Sequence, residues 1–203
     1  MKALLLKDFY MMSKYCRGYL LFVIVFLLSG FMAGNAFFYT YPCFLISLMP
    51  VSLYSYDERE GFCAYCMTLP FSRKQYISAK YLLSIICIVS VLALDVILYL
   101  FKLRMSAVPF MPEHLQLLTV MTAVSFIIPA ISMPLIFKLG PEKGRIAYLV
   151  MIGIACAVST IAAGDSYTGS IPHIGMTASI VASVLLYAVS WLLSVKIYEK
   201  KEL

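Results

Sequence analysis

Few side chains of this sequence could carry out chemistry, and their spacing matches no catalytic or metal-binding motif. Asp95 is the only acidic residue inside a long apolar run, where a buried charge is costly and usually serves a function. His114 and His173 stand apart from any serine or carboxylate that could complete a nucleophilic triad. Cys63 and Cys66 form a CxxC pair, but no second pair follows to complete a zinc site. The sequence therefore predicts no catalytic centre and no bound metal.

The composition excludes a soluble domain. Apolar and aromatic residues make up 63% of the 203 residues and charged residues only 13%, against roughly 25% charged residues in ordinary soluble domains. No GxxxxGK[ST] phosphate loop is present, so we expect neither ATP nor another cofactor to bind this chain itself. Any ATP-hydrolysing domain would have to come from a partner chain.

Long runs without charged residues predict an all-α membrane protein with six transmembrane helices in one domain, residues 1–203. A span needs about 20 apolar residues, and the sequence offers six such segments. Spans 1 and 2 form a hairpin over residues 18–56 that turns within 34–42. The other spans are 81–101, 115–137, 146–164 and 175–195.

The distribution of lysine and arginine orients these spans. With six spans, only Lys102 and Arg104 fall on one side, and the other cations fall on the opposite side. The positive-inside rule then places both termini, including the tail 196–203, in the cytoplasm of a multi-pass cell-membrane protein. This clustering at loops indicates contact with the lipid bilayer and not with nucleic acid. We expect the cysteines to be reduced.

Residues 1–17 have the pattern of an amphipathic helix. At 100° per residue, apolar side chains occupy one half of the helical wheel and most cations, including Lys7, occupy the other. Asp8 departs from the pattern because it lies among the apolar residues. Such a helix would lie in the cytoplasmic membrane interface before span 1. A simple basic anchor explains the charges equally well.

The segment 57–80, between spans 2 and 3, is the longest predicted cytoplasmic loop. Asp57 and Glu60 have the spacing of a capping box, which predicts a short helix beginning at Asp57. Pro70 would end that helix. Ser72 and Gln75 repeat the capping-box spacing and predict a second helix that continues into span 3.

The segment 57–80 also carries side chains suited to binding a partner protein. Its first half combines charges with aromatic anchors, and its second half adds the adjacent cations Arg73 and Lys74. A solvated loop would need neither caps nor aromatic residues, so we favour a binding role. The candidate residues are Asp57, Glu58, Arg59, Glu60, Phe62, Tyr65, Arg73 and Lys74.

Polar and helix-breaking residues inside the spans allow two interpretations. Pro129 and Pro134 interrupt span 4, as broken spans in transport pathways do, although a static kink is the commoner explanation. We expect Ser125 and Ser132 to satisfy the backbone groups that these prolines free. Asp95 is either a pathway residue or a packing group satisfied by its own helix. Small residues at four-residue spacing favour close packing of span 5 against span 6, namely Ala155, Ser159 and Ala163 with Gly175, Ser179 and Ser183.

Three stretches carry a resemblance to a known family: LLLKDFY at 4–10, SYDERE at 55–60 and TLPFSRKQYISAKYLL at 68–83. They resemble the small permeases of the ABC-2 family of ATP-binding-cassette exporters. The resemblance implies a permease that works as a dimer with an identical or homologous second permease. It also implies two ABC ATPase subunits, which bind ATP and Mg²⁺. Residues 1–17, with Lys7 and Asp8, would be the family's interfacial helix, and the short helix after Asp57 would be its coupling helix.

The resemblance favours an exporter of amphipathic or antimicrobial peptides, and the uncharged span faces also suit a lipid-like cargo. One alternative is the substrate-binding membrane subunit of an energy-coupling-factor importer. In that class the coupling helices belong to a separate subunit, which leaves the segment 57–80 without a purpose. The other alternative is an intramembrane enzyme, which would need paired catalytic groups, whereas Asp95 stands alone.

Overall fold

The computed structural model describes residues 2–33, 36–66, 72–106, 112–140 and 173–199, with the single positions 143, 146 and 149. Every regular element in these ranges is an α-helix, which agrees with the predicted all-α class. In chain order the helices are α1 (Lys2–Tyr15), α2 (Arg17–Ala33), α3 (Ala36–Ser47), α4 (Met49–Arg59), α5 (Phe62–Cys66), α6 (Arg73–Ser106), α7 (Pro112–Leu139) and α8 (His173–Glu199).

Three helices of the described part are long and apolar enough to cross a membrane. Their qualifying segments are Arg73–Arg104 in α6, Leu118–Leu139 in α7 and Ala178–Tyr198 in α8. A fourth candidate exists if the bent pair Lys2–Tyr15 and Arg17–Gly30 counts as one span. The chain is therefore an integral membrane protein, while the six-span topology and the orientation of the termini stay predictions. Nearly all of predicted span 5, with its small-residue stripe, lies outside the described residues.

The N-terminal helix is distinct from the first predicted span. α1 and α2 meet at a bend of 73°. The bend separates the segment predicted to be amphipathic from the apolar run that follows it. The break falls at Cys16, close to the predicted boundary after Arg17. The placement of α1 at a membrane surface stays a prediction.

Predicted span 2 consists of two helices. α3 ends at Ser47 and α4 begins at Met49, with Pro50 in the first turn of α4. Proline is tolerated in the first turn of a helix, where its missing N–H has no intrahelical partner, but it removes a hydrogen bond from a helix interior. A new helix that begins just before Pro50 avoids that loss. α4 then continues to Arg59. The last residues of α4 therefore extend into the segment 57–80, where we predicted a separate short helix to begin at Asp57.

The interior is organised around α3, α6, α7 and α8. α7 packs along α8, and α3 lies against α2, α6 and α7. α6 contacts α1, α4 and α8, so it connects the N-terminal helix with the C-terminal one. This position makes α6 the helix through which most of the described elements are linked.

A hydrogen bond between helices satisfies a carbonyl that a proline frees. Pro129 and Pro134 both lie within α7. Because Pro134 has no N–H, it cannot bond the carbonyl of Ala130 four residues earlier. Ser190 of α8 donates a hydrogen bond of 2.6 Å to this carbonyl. The partner of the freed group therefore comes from another helix.

The same serine continues a chain of hydrogen bonds into α6. Since its hydroxyl already donates its one proton to the hydrogen bond with Ala130, Ser190 accepts a hydrogen bond from the Tyr81 hydroxyl at 2.8 Å. Ser194 must then donate to the Tyr81 oxygen at 2.7 Å. The Tyr187 hydroxyl donates to the backbone carbonyl of Tyr81 at 2.8 Å. α6, α7 and α8 are thus joined by directional bonds inside an apolar core.

The expected roles of two serines in α7 were wrong. The Ser125 hydroxyl donates to the carbonyl of Met121, and the Ser132 hydroxyl is buried without a hydrogen-bond partner among the described residues. A helical serine reaches back three or four residues on its own helix. Neither serine can therefore reach the carbonyls that Pro129 and Pro134 free.

Candidate functional site

The three stretches that carry the resemblance meet at one group of charged side chains. We call Lys7, Asp8, Asp57 and Lys80 the ion-pair cluster. The Lys7 ammonium lies 2.6 Å from Oδ1 of Asp57 and 3.3 Å from Oδ1 of Asp8. The Lys80 ammonium lies 2.8 Å from Oδ1 of Asp8 and 2.6 Å from Oδ2 of Asp57. The cluster therefore joins α1, α4 and α6.

The ion-pair cluster is buried and its charges balance. The side chains of Lys80, Asp57 and Asp8 are at most 3% exposed, and only Lys7 reaches solvent at 24%. Removing one partner of such a group leaves an uncompensated buried charge, which costs about 3–5 kcal/mol. Two ammonium groups facing two carboxylates avoid that cost. The Tyr76 hydroxyl adds a hydrogen bond of 3.0 Å to Oδ2 of Asp57.

Asp57 is held in its charged form. Burial alone would raise the pKa of the Asp57 carboxyl. The positive charges of Lys80 and Lys7, together with their hydrogen bonds, outweigh burial and lower this pKa below its ordinary value of 3.8. The carboxylate is therefore an ion-pair acceptor at neutral pH and not a proton donor.

An aromatic layer attaches α5 to the ion-pair cluster. The Lys7 ammonium lies 3.5 Å from the centre of the Phe62 ring, a cation–π contact between α1 and α5. Phe62 also lies near Tyr76, and Tyr76 stacks on Tyr198 of α8 at 5.9 Å. Tyr198 in turn meets Phe137 of α7 edge to face. A displacement of α5 would therefore disturb its contacts with α1 and α6 directly, and Tyr76 and Tyr198 continue the aromatic layer from α6 to α8 and α7.

Local sequence explains how α5 and α6 begin. Gly61 adopts φ +70°, a left-handed conformation that suits glycine and lets the chain leave α4 and enter α5 at once. The Ser72 hydroxyl accepts a bond from the Gln75 N–H, and the Gln75 side chain accepts one from the Ser72 N–H, both at 3.2 Å. The predicted capping box at the start of α6 is confirmed. Pro70 lies outside the described residues.

The predicted capping role of Asp57 was wrong. Asp57 lies in the last turns of α4, and its carboxylate is bound by two lysines and a tyrosine. The short helix begins at Phe62, after Glu60 and Gly61. The Asp-x-x-Glu spacing misled because both helix starts and buried ion pairs use carboxylates. Spacing alone does not distinguish the two uses.

The remaining candidates divide into exposed and covered residues. Arg59 and Glu60 are exposed, and Tyr65 of α5 is 59% exposed. We call Arg59, Glu60 and Tyr65 the exposed patch. Arg73 is half-buried, and the Lys74 ammonium lies 5.6 Å from the centre of the Trp191 ring. Lys74 is exposed as well, and the exposed patch is the group of exposed candidates at the end of α4 and in α5 that a partner protein could contact.

Glu58 is half-buried beside the end of α7. Its Oε1 lies within 3.7 Å of the position that a Cβ would take on Gly140, at the end of α7. Its Oε2 is buried and has no hydrogen-bond partner within the described residues. Glu58 therefore links the end of α4 to the end of α7, which the sequence did not indicate.

Asp95 does not belong to this site. It is fully buried on α6, and neither carboxylate oxygen has a hydrogen-bond partner within the described ranges. The prediction that its own helix satisfies it finds no supporting contact there. Pro129 and Pro134 lie on α7 and shape the contact with α8 described above.

Sequence reasoning missed Lys80 and Tyr76 as members of the site. Two signals in the sequence pointed to them: an acidic residue on the apolar half of α1, Asp8, and a lysine between apolar residues on α6, Lys80. A charge on a face predicted to be buried requires an opposite charge nearby. Matching these two residues would have located the ion-pair cluster.

The chain belongs to the ABC-2 transporter family. Residues 3–199 match the family model described as ABC-2 family transporter protein. The family consists of transport subunits, and membership indicates a membrane permease of an ABC transporter that associates with ABC ATPase subunits. No curated protein and no solved structure matches the chain.

Replacing Asp57 with Asn tests the charge balance of the ion-pair cluster. The variant leaves two buried ammonium groups facing one carboxylate, so the free energy of unfolding should fall by about 3 kcal/mol. Adding Lys80→Met restores the balance and should recover part of the loss. Thermal unfolding of the purified protein in detergent measures both effects. Glu60→Gln, an exposed change outside the cluster, should be nearly neutral. A double variant no more stable than Asp57→Asn would contradict the balance argument.

The lowered pKa of Asp57 predicts loss of stability in acid. A depressed pKa in the folded state contributes stability that is present above the ordinary value of 3.8 and disappears as the pH falls through the folded value. The unfolding temperature should therefore drop steeply below about pH 4. Asp57→Asn should show a shallower drop, since it lacks this titration. Identical slopes for both proteins would show that Asp57 does not contribute.

Proposed function

We propose that the chain is the permease subunit of an ATP-driven exporter, and that its ATPase partner docks on the exposed patch. The observation that carries the proposal is the attachment of α5, next to that patch, to α1, α4 and α6 through Phe62 and the ion-pair cluster. A transporter needs a stiff element between the ATPase and its spans. A solvated loop would not be fixed to three helices by buried charges.

The route of the movement follows the contacts of α5. A force on α5 acts on Lys7 through the Phe62 ring, and Lys7 is bonded to Asp57 at the end of α4. Asp57 is bonded to Lys80, which lies in α6. α6 runs without a break from Arg73 to Ser106, a length of about 50 Å at ~1.5 Å per residue. Movement at the docking surface would therefore shift α6 as a unit.

The same contacts favour a concerted movement of the spans. Tyr81 follows Lys80 directly and is bonded to Ser190 and Ser194 of α8. A shift of α6 would thus displace α8 together with it. In the proposed cycle, ATP and Mg²⁺ close the two ATPase subunits and the paired permeases open the pathway to the outside. The cargo is an amphipathic or antimicrobial peptide or a lipid-like molecule, and a second permease, identical or homologous, completes the dimer.

The docking proposal predicts the effect of changes in the exposed patch. Arg59→Glu with Glu60→Lys and Tyr65→Ala removes the exposed anchor and reverses both charges without touching the ion-pair cluster. Co-purification of the ATPase subunit from the native membrane in mild detergent should fall about tenfold or more, since a few central residues dominate interfaces. The thermal unfolding of the permease should not change.

A matched control reverses exposed charges elsewhere. Arg104→Glu with Lys138→Glu changes exposed residues of α6 and α7 that are not part of the exposed patch and should leave the ATPase bound. Vanadate-sensitive ATP turnover of the purified complex provides a second readout. Normal co-purification and turnover of the patch variant would refute docking at this surface.

For Asp95 we propose a place in the transport pathway. A buried carboxyl without a partner destabilises the fold, so Asp95→Asn should leave the unfolding temperature unchanged or raise it. ATP turnover of the reconstituted complex should fall about tenfold or more, equivalent to about 1.4 kcal/mol of barrier. ATPase co-purification serves as the control and should be normal. Unchanged turnover would make Asp95 a packing residue.

A further inference from the structure

The side of α1 that faces away from the rest of the protein is not the half of the helical wheel with most of its apolar residues. Leu4, Asp8 and Met11 are buried against the rest of the protein. The opposite side is open to the surroundings, and Arg17 at the start of α2 continues it. We call this side the outward face; its exposed members are Lys2, Leu6, Phe9, Tyr10, Ser13, Lys14 and Arg17.

The charges of the outward face are all positive. Lys2, Lys14 and Arg17 are exposed, and no carboxylate in the described part of the chain forms an ion pair with them. Arg17 donates only to the backbone carbonyl of Ser13. Asp8, the one acidic residue of this region, is buried and bonded to Lys80. The ion-pair cluster thus removes from the outward face the only negative charge of residues 1–17.

Large apolar side chains stand between these cations. Leu6 is 73% exposed, Tyr10 is 72% exposed and Phe9 is 39% exposed. In water this exposure would be unfavourable, whereas the headgroup region of a bilayer accepts apolar and aromatic side chains next to lysine and arginine. The mixture therefore fits a lipid surface better than bulk water.

The direction of α1 agrees with such a surface. α2 is the apolar helix that follows, and it meets α1 at 73°. If α2 crosses the bilayer close to its normal, α1 lies nearly parallel to the membrane plane. Its cations then lie at the depth of the phosphate groups on the predicted cytoplasmic side, where anionic lipids attract basic residues.

We propose that the outward face of α1 is a binding surface for anionic phospholipid headgroups. Lys2, Lys14 and Arg17 contact the phosphates, while Leu6 and Tyr10 insert between the headgroups. The ATPase is the other conceivable occupant. Its proposed docking surface carries both signs of charge at Arg59 and Glu60, whereas the outward face carries one sign and needs an acidic partner. This inference does not rest on the proposed export function.

The test measures which lipids the full chain retains. The tagged protein is reconstituted in vesicles of phosphatidylcholine with a minor share of phosphatidylglycerol, extracted in mild detergent and analysed by native mass spectrometry. The wild type should retain phosphatidylglycerol in excess of its share of the vesicle. In the triple variant Lys2→Gln, Lys14→Gln, Arg17→Gln the preference should fall about fivefold for each cation that contacts the headgroup. Raising the salt concentration should reduce the wild-type preference as well.

Two control variants separate this surface from net charge. Arg104→Gln with Lys138→Gln and Lys196→Gln removes the same charge from exposed positions outside α1 and should keep the preference. Lys2→Arg with Lys14→Arg and Arg17→Lys keeps the charge on the outward face and should also keep it. An equal loss in the first control and in the Gln variant would overturn the proposal. Loss of ATPase binding in the Gln variant, with lipid retention unchanged, would overturn it and assign the face to the ATPase instead.

Discussion

The described structure depends on the mutual neutralisation of two lysines and two aspartates in a buried site. Lys7, Asp8, Asp57 and Lys80 come from three helices that are distant in sequence. A buried ion pair adds little net stability relative to apolar residues, but an incomplete one is strongly unfavourable. The cluster therefore acts mainly on specificity. Any other placement of α1 or α4 against α6 would leave a charge unpaired, so the positions of these helices are coupled.

This coupling gives the cluster a mechanical consequence. α5 has only five residues and could not hold a fixed position by itself. It gains one because Phe62 covers Lys7, and Lys7 belongs to the cluster. Directly after Lys80, the Tyr81 hydroxyl joins α6 to α8. Adjacent residues of one helix, Lys80 and Tyr81, thus connect the ion-pair cluster to α8.

The sequence predicted the local features of the structure and missed the contacts between distant segments. The all-helical class and the Ser72–Gln75 capping box follow from composition and local spacing, because these depend on neighbouring residues. The spacing assigned Asp57 to a helix cap. Its partners in the structure, Lys7 and Lys80, lie 50 and 23 positions away in the sequence, beyond the reach of any local pattern. The carbonyl freed by Pro134 also has a partner that is distant in sequence. The sequence predicted a partner on the same helix, whereas Ser190 of α8 donates the hydrogen bond.

The buried aspartates of the described residues differ in whether another helix provides a partner for the carboxyl group. Asp8 and Asp57 each have a lysine partner from another helix, and the three helices involved form the proposed coupling site. Asp95 lies on α6, about 22 Å along the helix from Lys80 at ~1.5 Å per residue, and it is equally buried without such a partner. An unpaired carboxyl in an apolar interior is stable only when it is protonated or meets an opposite charge. The two parts of α6 therefore differ: the part around Lys80 is fixed by internal charge balance, and the part around Asp95 carries the carboxyl for which we propose a place in the transport pathway.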